Sequence, residues 1–331
     1  MNLKSLKTLA FGATALLLAI APVNAQSVTL TLAHQYPSTQ AMGDGYNLWA
    51  KRVEEMSNGD IAVRVFAGST LIGSDESFTA VSSGSVSASN MIGGFQVGDI
   101  PELATLGLPF LFDDYAHYRR TVDNGLFELV QGWYEAKNIK LLNLFPKGFN
   151  QIFHKSKFLM TPEDFAGAQL RGPGGAADAT LQALGANVVR LPTTEVTQGL
   201  QRGVVDGLTT NCVAHIGRSW FEQTPYASVL AFANDAEGLG INLDVWNGLK
   251  PEQQKILEDA AAEMKEFEWK LQQNLDEVKC FDDWKQRGVN VQSATPEQRA
   301  ALKEKASPVY DSYRKDLPVL DKVFELIAAN R

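Results

Sequence analysis

The chain has 331 residues, of which 45% are hydrophobic and 21% are charged, and its formal net charge is −8 at pH 7. An acidic chain is a poor partner for phosphate backbones, so this charge argues against nucleic-acid binding. The length is sufficient for a large core, and we expect it to form two lobes.

The first 25 residues have the layout of a secretory signal peptide. Lys4 and Lys7 form a basic start, and residues 9–21 are almost wholly apolar. At 13 residues this run is shorter than the ~20 residues of a membrane-spanning helix, which argues against an anchor. Val23 and Ala25 supply the small residues of a cleavage site. We predict export to the periplasm with cleavage after Ala25, which leaves a soluble chain with a formal charge of 28 − 38 = −10.

The chain after the cleavage site opens with a strand, a helix and a second strand. Residues 28–32 alternate apolar and threonine side chains, and "IAVRVF" at 61–66 is a second strand pattern. Between them a helical pattern closes at Asn58-Gly59. Its apolar positions recur at steps of four and three: Met42, Tyr46, Trp49, Val53 and Met56. This order predicts parallel pairing of the two strands through a right-handed crossover.

A similar pattern returns in the middle of the chain. Residues 168–171, 187–191 and 204–210 read as strands, and residues 176–184 read as a helix that ends at Gly185. Two separate blocks of this kind predict an α/β fold of two lobes, each with a central sheet flanked by helices.

Residues 251–287 predict one long helix, because no helix breaker interrupts their apolar spacing and Gly288 follows. At 1.5 Å per residue this helix would be about 50 Å long. A lobe of roughly 130 residues has a radius of gyration of only ~14 Å. We therefore expect the helix to span both lobes. A kink or break near Asn274 is the alternative.

Cys212 and Cys280 are the only cysteines. An oxidising compartment permits a disulfide, but the separation of 280 − 212 = 68 positions does not indicate how close the thiols lie. We expect two buried free thiols and keep a disulfide as the alternative.

Motifs of catalysis are missing from the sequence. None of the four histidines has a second histidine or a cysteine at metal-ligand spacing, and no GxSxG motif occurs. The stretch "GSTLIGS" at 68–74 lacks the P-loop lysine, and "GPGG" at 172–175 lacks the full dinucleotide fingerprint. We expect no metal, no cofactor and no enzymatic activity.

Arg171 is the strongest candidate for a functional residue. It ends a predicted strand and precedes the glycine-rich stretch that leads into a predicted helix. In open α/β sheets, ligands bind beyond the carboxyl ends of strands, and helix N-termini attract anions. A guanidinium can hold a carboxylate through two parallel hydrogen bonds. The alternative is a solvent-exposed arginine paired with a neighbouring acid.

Several spaced motifs resemble a known family, the periplasmic substrate-binding subunits of TRAP transporters of the dicarboxylate-binding-protein (DctP) type. The matching stretches are "LAHQYPSTQ", "WAKRVEEMSNGDIAVRVFAGSTLIGSDE", "ELATLGLPFLFDDYAH", "TPEDFAGAQLR" and "LGANVVRLPTTEVTQGLQRGVVDG". The resemblance covers nearly the whole exported chain. It implies two α/β lobes that are spanned by a long helix and close around a ligand.

The resemblance also implies ligand-binding residues, with Arg171 as the residue that holds the ligand carboxylate. The other implied positions are Thr193, Thr210, Asn211, His34, Gln35, Tyr36, Asn90, Met91 and Ile92. Many members carry a second arginine where this chain has Asn150, in "KGFNQIFHK". We therefore expect Asn150 to leave a single-arginine clamp, which favours monocarboxylates, including hydroxy, oxo or aromatic acids.

The predicted domains are a signal peptide at 1–25, lobe I at 26–147 plus 237–275, and lobe II at 148–236 plus 276–331. We expect a monomer that delivers its organic acid to membrane permease subunits, a small four-helix protein and a large multi-span protein. A ligand-sensing subunit of a signalling system and a secreted enzyme acting on a carboxylate are the alternatives.

Overall fold

The protein, described by a computed structural model at residues 28–37, 40–73 and 75–331, is an α/β structure. Its strands are β1 Val28–Ala33, β2 Ile61–Phe66, β3 Ala88–Ile92, β4 Ile139–Leu141, β5 Phe145–His154, β6 Gln169–Gly172, β7 Asn187–Arg190, β8 Gly207–Asn211, β9 Tyr226–Asn242 and β10 Asn290–Ser293. The predicted signal peptide lies outside the described residues. No helix within these ranges combines the length and the apolar character that crossing a bilayer requires.

The α-helices lie mainly between the strands. They are α1 Asp44–Met56, α2 Ser77–Ser82, α3 Gly93–Gln96, α4 Tyr115–Thr121, α5 Phe127–Glu135, α6 Pro162–Phe165, α7 Gly175–Ala183, α8 Val196–Gln201, α9 Cys212–Gly217, α10 Leu243–Asn247, α11 Pro251–Asn274, α12 Cys280–Gln286, α13 Pro296–Asp316 and α14 Leu320–Ala329. Short 3-10 turns occupy Ala41–Gly43, Pro101–Thr105, Thr193–Glu195 and Trp220–Glu222. A kink at Val122–Leu126 joins α4 to α5.

The predicted strand–helix–strand unit at the start of the chain is confirmed. β1 and β2 pair in parallel, from Val28 opposite Ile61 to Ala33 opposite Phe66. On α1, the predicted apolar face is fully buried at its centre, where Tyr46, Trp49 and Val53 each have 0% exposure. Burial of this stripe, rather than helix propensity, holds a helix of this length in place.

The ten strands form one sheet in the order β2-β1-β3-β9-β5-β8-β6-β7, with β4 and β10 paired to β9. One large hydrophobic cluster packs against β1–β3, and two smaller clusters pack around β5–β8. The α/β fold with two lobes is thus confirmed. The sheets of the two lobes are continuous, because β5 and the 17-residue β9 run through both.

The C-terminal helices connect the two groups of clusters. On α13, Leu302 and Ala306 belong to one of the smaller clusters, whereas Tyr310 belongs to the large one. Leu320 and Ile327 of α14 also pack in the large cluster. The apolar stripe of α14 thus packs on the large cluster, whereas the predicted division put every residue after 275 in lobe II.

The predicted long helix is present, with a change of hydrogen bonding inside it. α11 continues through a π-helical turn at Leu275–Lys279 into α12, which ends at Gln286. Asn274 keeps helical dihedral angles, so the helix does not break there, but the π-turn begins directly after it. Turns of this type mark functional positions in many helices.

Asp276 ties this π-turn to the rest of the fold. Its Oδ2 accepts a hydrogen bond from the Tyr115 hydroxyl at 2.6 Å and another from the Phe149 backbone N–H at 2.7 Å. Tyr115 begins α4, and Phe149 lies in β5 beside a shift in its pairing with β9. Burial raises the pKa of the Asp276 carboxyl to about 6, while its two hydrogen-bond donors oppose the rise.

We expect Asp276 to make the protein less stable as the pH rises from about 4 to about 6. In this range the unfolded chain ionises at its ordinary pKa of 3.8 while the folded chain keeps the proton, so rising pH favours unfolding. The rise of the pKa from 3.8 to about 6 corresponds to at most roughly 3 kcal/mol, and the half-buried position of the side chain reduces this figure. Urea unfolding at several pH values should show this loss in the wild type but not in Asp276→Asn. A difference between the two proteins that does not change with pH would contradict it.

The expectation of free thiols is wrong. Cys212 and Cys280 form a disulfide, with their Cα atoms 6.0 Å apart. The two cysteines are distant in sequence but close in space, because α9 and α12 meet in one of the smaller clusters. In the same contact, Nε1 of Trp284 in α12 donates a hydrogen bond to Nδ1 of His215 in α9 at 3.1 Å.

Candidate functional site

Arg171 lies near the carboxyl end of β6, between the parallel strands β7 and β8. Its side chain is buried at 8% exposure, and its Nε donates to the backbone oxygen of Leu191 at 3.1 Å. Within the described residues, Arg171 has no ion pair. Burial lowers the pKa of the guanidinium, whereas Asp178 raises it and Arg218 lowers it further. A buried positive charge with one neutral acceptor can take an anion from outside the chain.

The loop after Arg171 turns sharply into α7. Gly174 and Gly175 have φ angles of 109° and 61°, which favour glycine at both positions. The Gly174 N–H donates to Oδ1 of Asp178 at 2.8 Å. The guanidinium of Arg190 occupies the space that a Cβ on Gly174 would need. The absence of a side chain at Gly174 therefore lets the Arg190 guanidinium pack against the loop, directly before α7 begins at Gly175.

A cavity of 420 Å³ opens beside this loop and contacts both lobes. From lobe II it is lined by the glycine loop and Asn150, among others, and from lobe I by residues between Gly94 and Gly107. Its charged lining residues are Arg190 and Asp235. Arg171 does not line the cavity itself, but the cavity wall begins two residues after it, at Pro173. We call this cavity the cleft.

The structure brings several of the predicted residues of lobe II close together. Asn150 of β5 lies opposite Asn211 of β8, and Thr210 lies opposite Gln151. Asn211 also caps α9, because its Oδ1 accepts from the Ala214 N–H at 2.9 Å. Of this group, only Asn150 lines the cleft.

Thr193 sits apart from the other predicted positions of lobe II. It is exposed in the 3-10 turn at Thr193–Glu195, two residues after the backbone oxygen that Arg171 contacts at Leu191.

The predicted residues of lobe I are buried beside one another at the carboxyl ends of β1 and β3. His34 and Tyr36 have exposures of 2% and 4%, and Gln35 is half-buried. Asn90, Met91 and Ile92 in β3 have exposures of 1–2%. None of these side chains lines the cleft. They form a group separate from that of Arg171 and Asn150.

A network of buried acids and tyrosines lies behind this lobe I group. Tyr36 donates its hydroxyl hydrogen bond to Oε2 of Glu237, and Tyr46 donates to Oε1 at 2.6 Å. Burial raises the pKa of Glu237, and burial also raises the pKa of the neighbouring Glu268 to about 9. Both ring nitrogens of His34 are without a hydrogen-bond partner within the described chain, and burial lowers the pKa of that ring.

Sequence reasoning missed Asp235 and Arg190 in the cleft. Asp235 lies in β9, and its Oδ1 accepts from the Gly94 N–H at 3.0 Å. Burial raises the pKa of Asp235, which Lys147 opposes. The sequence does contain features that could have indicated both residues. Asp235 interrupts a largely apolar stretch. Arg190 ends β7, whose carboxyl end lies at the same edge of the sheet as that of β6. In the described ranges, no group of His, Cys, Asp and Glu side chains is arranged to hold a metal ion.

Comparison with known proteins places this chain among solute-binding proteins. The family model "Bacterial extracellular solute-binding protein, family 7", or DctP, matches residues 32–316. The 2,3-diketo-L-gulonate-binding periplasmic protein YiaO of Escherichia coli is 27% identical, with 83% of this chain and 85% of that protein covered. The C4-dicarboxylate-binding periplasmic protein DctP of Rhodobacter capsulatus is also 27% identical, with 91% of each covered.

The fold agrees with solved structures as well. The crystal structure of a TRAP periplasmic solute-binding protein from Ochrobactrum anthropi has a TM-score of 0.87 at 24% identity and covers 92% of this chain and 96% of that one. The likeness supports the two-lobed fold.

Proposed function

Because the chain belongs to family 7 of the bacterial extracellular solute-binding proteins, we propose that it is the periplasmic subunit of a TRAP transporter. It captures a small organic acid and delivers it, chemically unchanged, to the permease subunits in the membrane. Export with cleavage after Ala25 is part of this proposal. The family consists of solute-binding proteins, and the relatives with assigned ligands bind small acids.

The observation that carries the proposal is the buried, unpaired guanidinium of Arg171 beside a cleft between two lobes. Within the described chain, only the Leu191 oxygen satisfies it. Arg171 takes one ligand carboxylate through two parallel hydrogen bonds when the lobes close. The start of α7 adds a favourable dipole at the same end of the cleft.

The other wall of the cleft favours a ligand whose far end is not a carboxylate. Asn150 offers a neutral amide at the position where many family members carry a second arginine. Asp235 adds a negative charge that would repel a second carboxylate but accept a hydrogen bond from a hydroxyl group. A monocarboxylate, including hydroxy, oxo and aromatic acids, is therefore the proposed ligand class, and Asp235 supports the hydroxy acids among them. Arg190 is a competing feature, since a second guanidinium in the cleft could hold a second carboxylate.

The proposed lobes, lobe I at 26–147 plus 237–275 and lobe II at 148–236 plus 276–331, hinge at their three boundaries. Support comes from irregularities at each boundary. The pairing of β5 with β9 shifts between Pro146 and Phe149, which lies at two of the boundaries. The third boundary falls in the π-turn at Leu275–Lys279. Such positions can absorb changes in backbone angle as the lobes close.

We expect a panel of acids to separate the ligand classes. Ligand at about 100 times its dissociation constant adds roughly 2.7 kcal/mol to stability, which a thermal-shift assay detects. Hydroxy or oxo monocarboxylates should raise the unfolding temperature more than succinate does at equal concentration. A larger shift with succinate than with every monoacid would reject the role given to Asn150. In that case Arg190→Gln should remove the succinate response.

A further inference from the structure

Two neighbouring chambers lie at the C-terminal helices, outside the cleft. A chamber of 450 Å³ lies at the start of α13 and includes Arg299 and Asp113 in its lining. An apolar chamber of 260 Å³ lies between α13 and α14. Lys303 and Arg331 line both chambers, and no residue that lines the cleft lines either of them. We propose that they form a second binding site, for a carboxylate with a compact apolar body, whose head meets Lys303 and whose body fills the apolar chamber.

Lys303 carries a positive charge that is partly removed from water. Its side chain is half-buried, and within the described residues its ammonium makes neither a hydrogen bond nor an ion pair. Burial lowers the pKa of Lys303, and the charges of Arg331 and Arg299 lower it further, whereas Asp113 opposes the change. A partly desolvated ammonium without an acceptor is costly, and an anion in the chamber would supply that acceptor.

The acids near Lys303 are already engaged by other groups. Asp113 pairs with Nη1 of Arg299 at 2.8 Å and lies 3.7 Å from Nε of Arg331. Asp114 caps α4, because its Oδ1 accepts from the His117 N–H at 2.7 Å. The charged chamber thus holds three cations against two acids, on a chain whose formal charge is −8.

The apolar chamber selects the body of the ligand. Leu111, Tyr310 and Ile327 are buried in its wall, and the ring of Phe324 meets that of Tyr310 edge to face at a centroid distance of 5.5 Å. The Arg314 guanidinium stacks over Phe324 and is neutralised by Asp311 and Asp321. Arg331, which also lines this chamber, pairs with Asp113, so Lys303 is the lining cation without an ion pair within the described residues. An inorganic anion would leave the apolar wall unused.

The position of the site on α13 gives it contact with both lobes. The helix leaves the lobe II cluster at Ala306 and joins the lobe I cluster at Tyr310, and Tyr313 one turn later lines the cleft. A ligand between Lys303 and Tyr310 would therefore bind where the two lobes are joined.

Titration with 4-fluorophenylacetate, followed by ¹⁹F NMR in the Arg171→Ala background, tests the proposal. This background weakens the proposed cleft site, so that the remaining binding reports the second site. Lys303→Gln should weaken binding about tenfold or more, as expected for the loss of one partly desolvated charge contact. Lys305→Gln is the matched control, because it removes the same charge from an exposed position of α13 outside both chambers. Ala328→Trp should also weaken binding, because Ala328 is exposed on α14 and lines the apolar chamber.

Each result decides for or against the second site. Loss of binding in Lys303→Gln and Ala328→Trp, with wild-type affinity in Lys305→Gln, supports it. Binding that is equal in all three variants, or no binding in any protein, overturns it. Displacement of the probe by acetate as readily as by phenylacetate overturns the role of the apolar chamber. If Arg171 does not serve the cleft, the Lys303 comparison still stands, because all variants share the same background.

Discussion

Replacing Arg171 with alanine should weaken ligand binding by about 30-fold or more while the protein still folds. Loss of one partner from a desolvated charge pair typically costs roughly 2–5 kcal/mol, and every 1.4 kcal/mol is about a factor of ten in affinity. Folding should survive, since the guanidinium gives up only its hydrogen bond to the Leu191 oxygen. Calorimetric titration with the best acid of the thermal-shift panel measures the effect.

Two further variants separate the shape of the guanidinium from its charge. Arg171→Lys keeps the charge but should still lose much of the affinity, because an ammonium cannot form the planar pair of hydrogen bonds. Arg202→Ala is the control, since it removes an exposed arginine at the end of α8 in the same lobe. Near wild-type affinity in Arg171→Ala would reject the clamp. A similar loss in Arg202→Ala would indicate a general effect of charge.

Breaking the disulfide should lower the free energy of unfolding by roughly 4 kcal/mol. The bond closes a segment with a sequence separation of 68, and in the loop-entropy account a cross-link of this span restrains the unfolded chain by about that amount. Urea unfolding of Cys212→Ala/Cys280→Ala should therefore show a lower midpoint than the oxidised wild type. The Trp284–His215 hydrogen bond remains and should keep α12 against α9 in the folded variant.

Reduction of the wild type supplies the control for this experiment. Dithiothreitol should lower the unfolding midpoint of the wild type toward that of the double variant and leave the variant unchanged. An equal midpoint with and without reductant in the wild type would show that the bond contributes nothing to stability.

Local patterns were sufficient to predict several elements of the fold, although β5, β9, β10, α13 and α14 were not predicted. The period of the apolar residues in α1 and in the long helix, and the alternation in β1, depend on neighbours close in sequence, and each predicted element is present. In the glycine-rich stretch after Arg171, Gly174 and Gly175 take positive φ angles, which fits the choice of glycine there. The motifs predicted the family, which the match to residues 32–316 confirms.

Long-range contacts decided what local patterns could not. Cys212 and Cys280 meet only because α12 returns to α9, so spacing in the sequence could not reveal their bond. Asp235 and Arg190 enter the cleft from β9 and β7, which are distant in the chain, and their place depends on the order of strands in the sheet.

The burial of the lobe I residues also depends on the tertiary structure, because Tyr36 reaches Glu237 from a position 201 residues away. The sequence by itself determined the elements with a clear local period, the two-lobed fold and the family of this protein, since these follow from local periodicity and ordered motifs. The charges that face the cleft, and the unpaired Lys303 beside the apolar chamber, were decided by tertiary packing, because a side chain's burial and partners depend on residues far away in the chain.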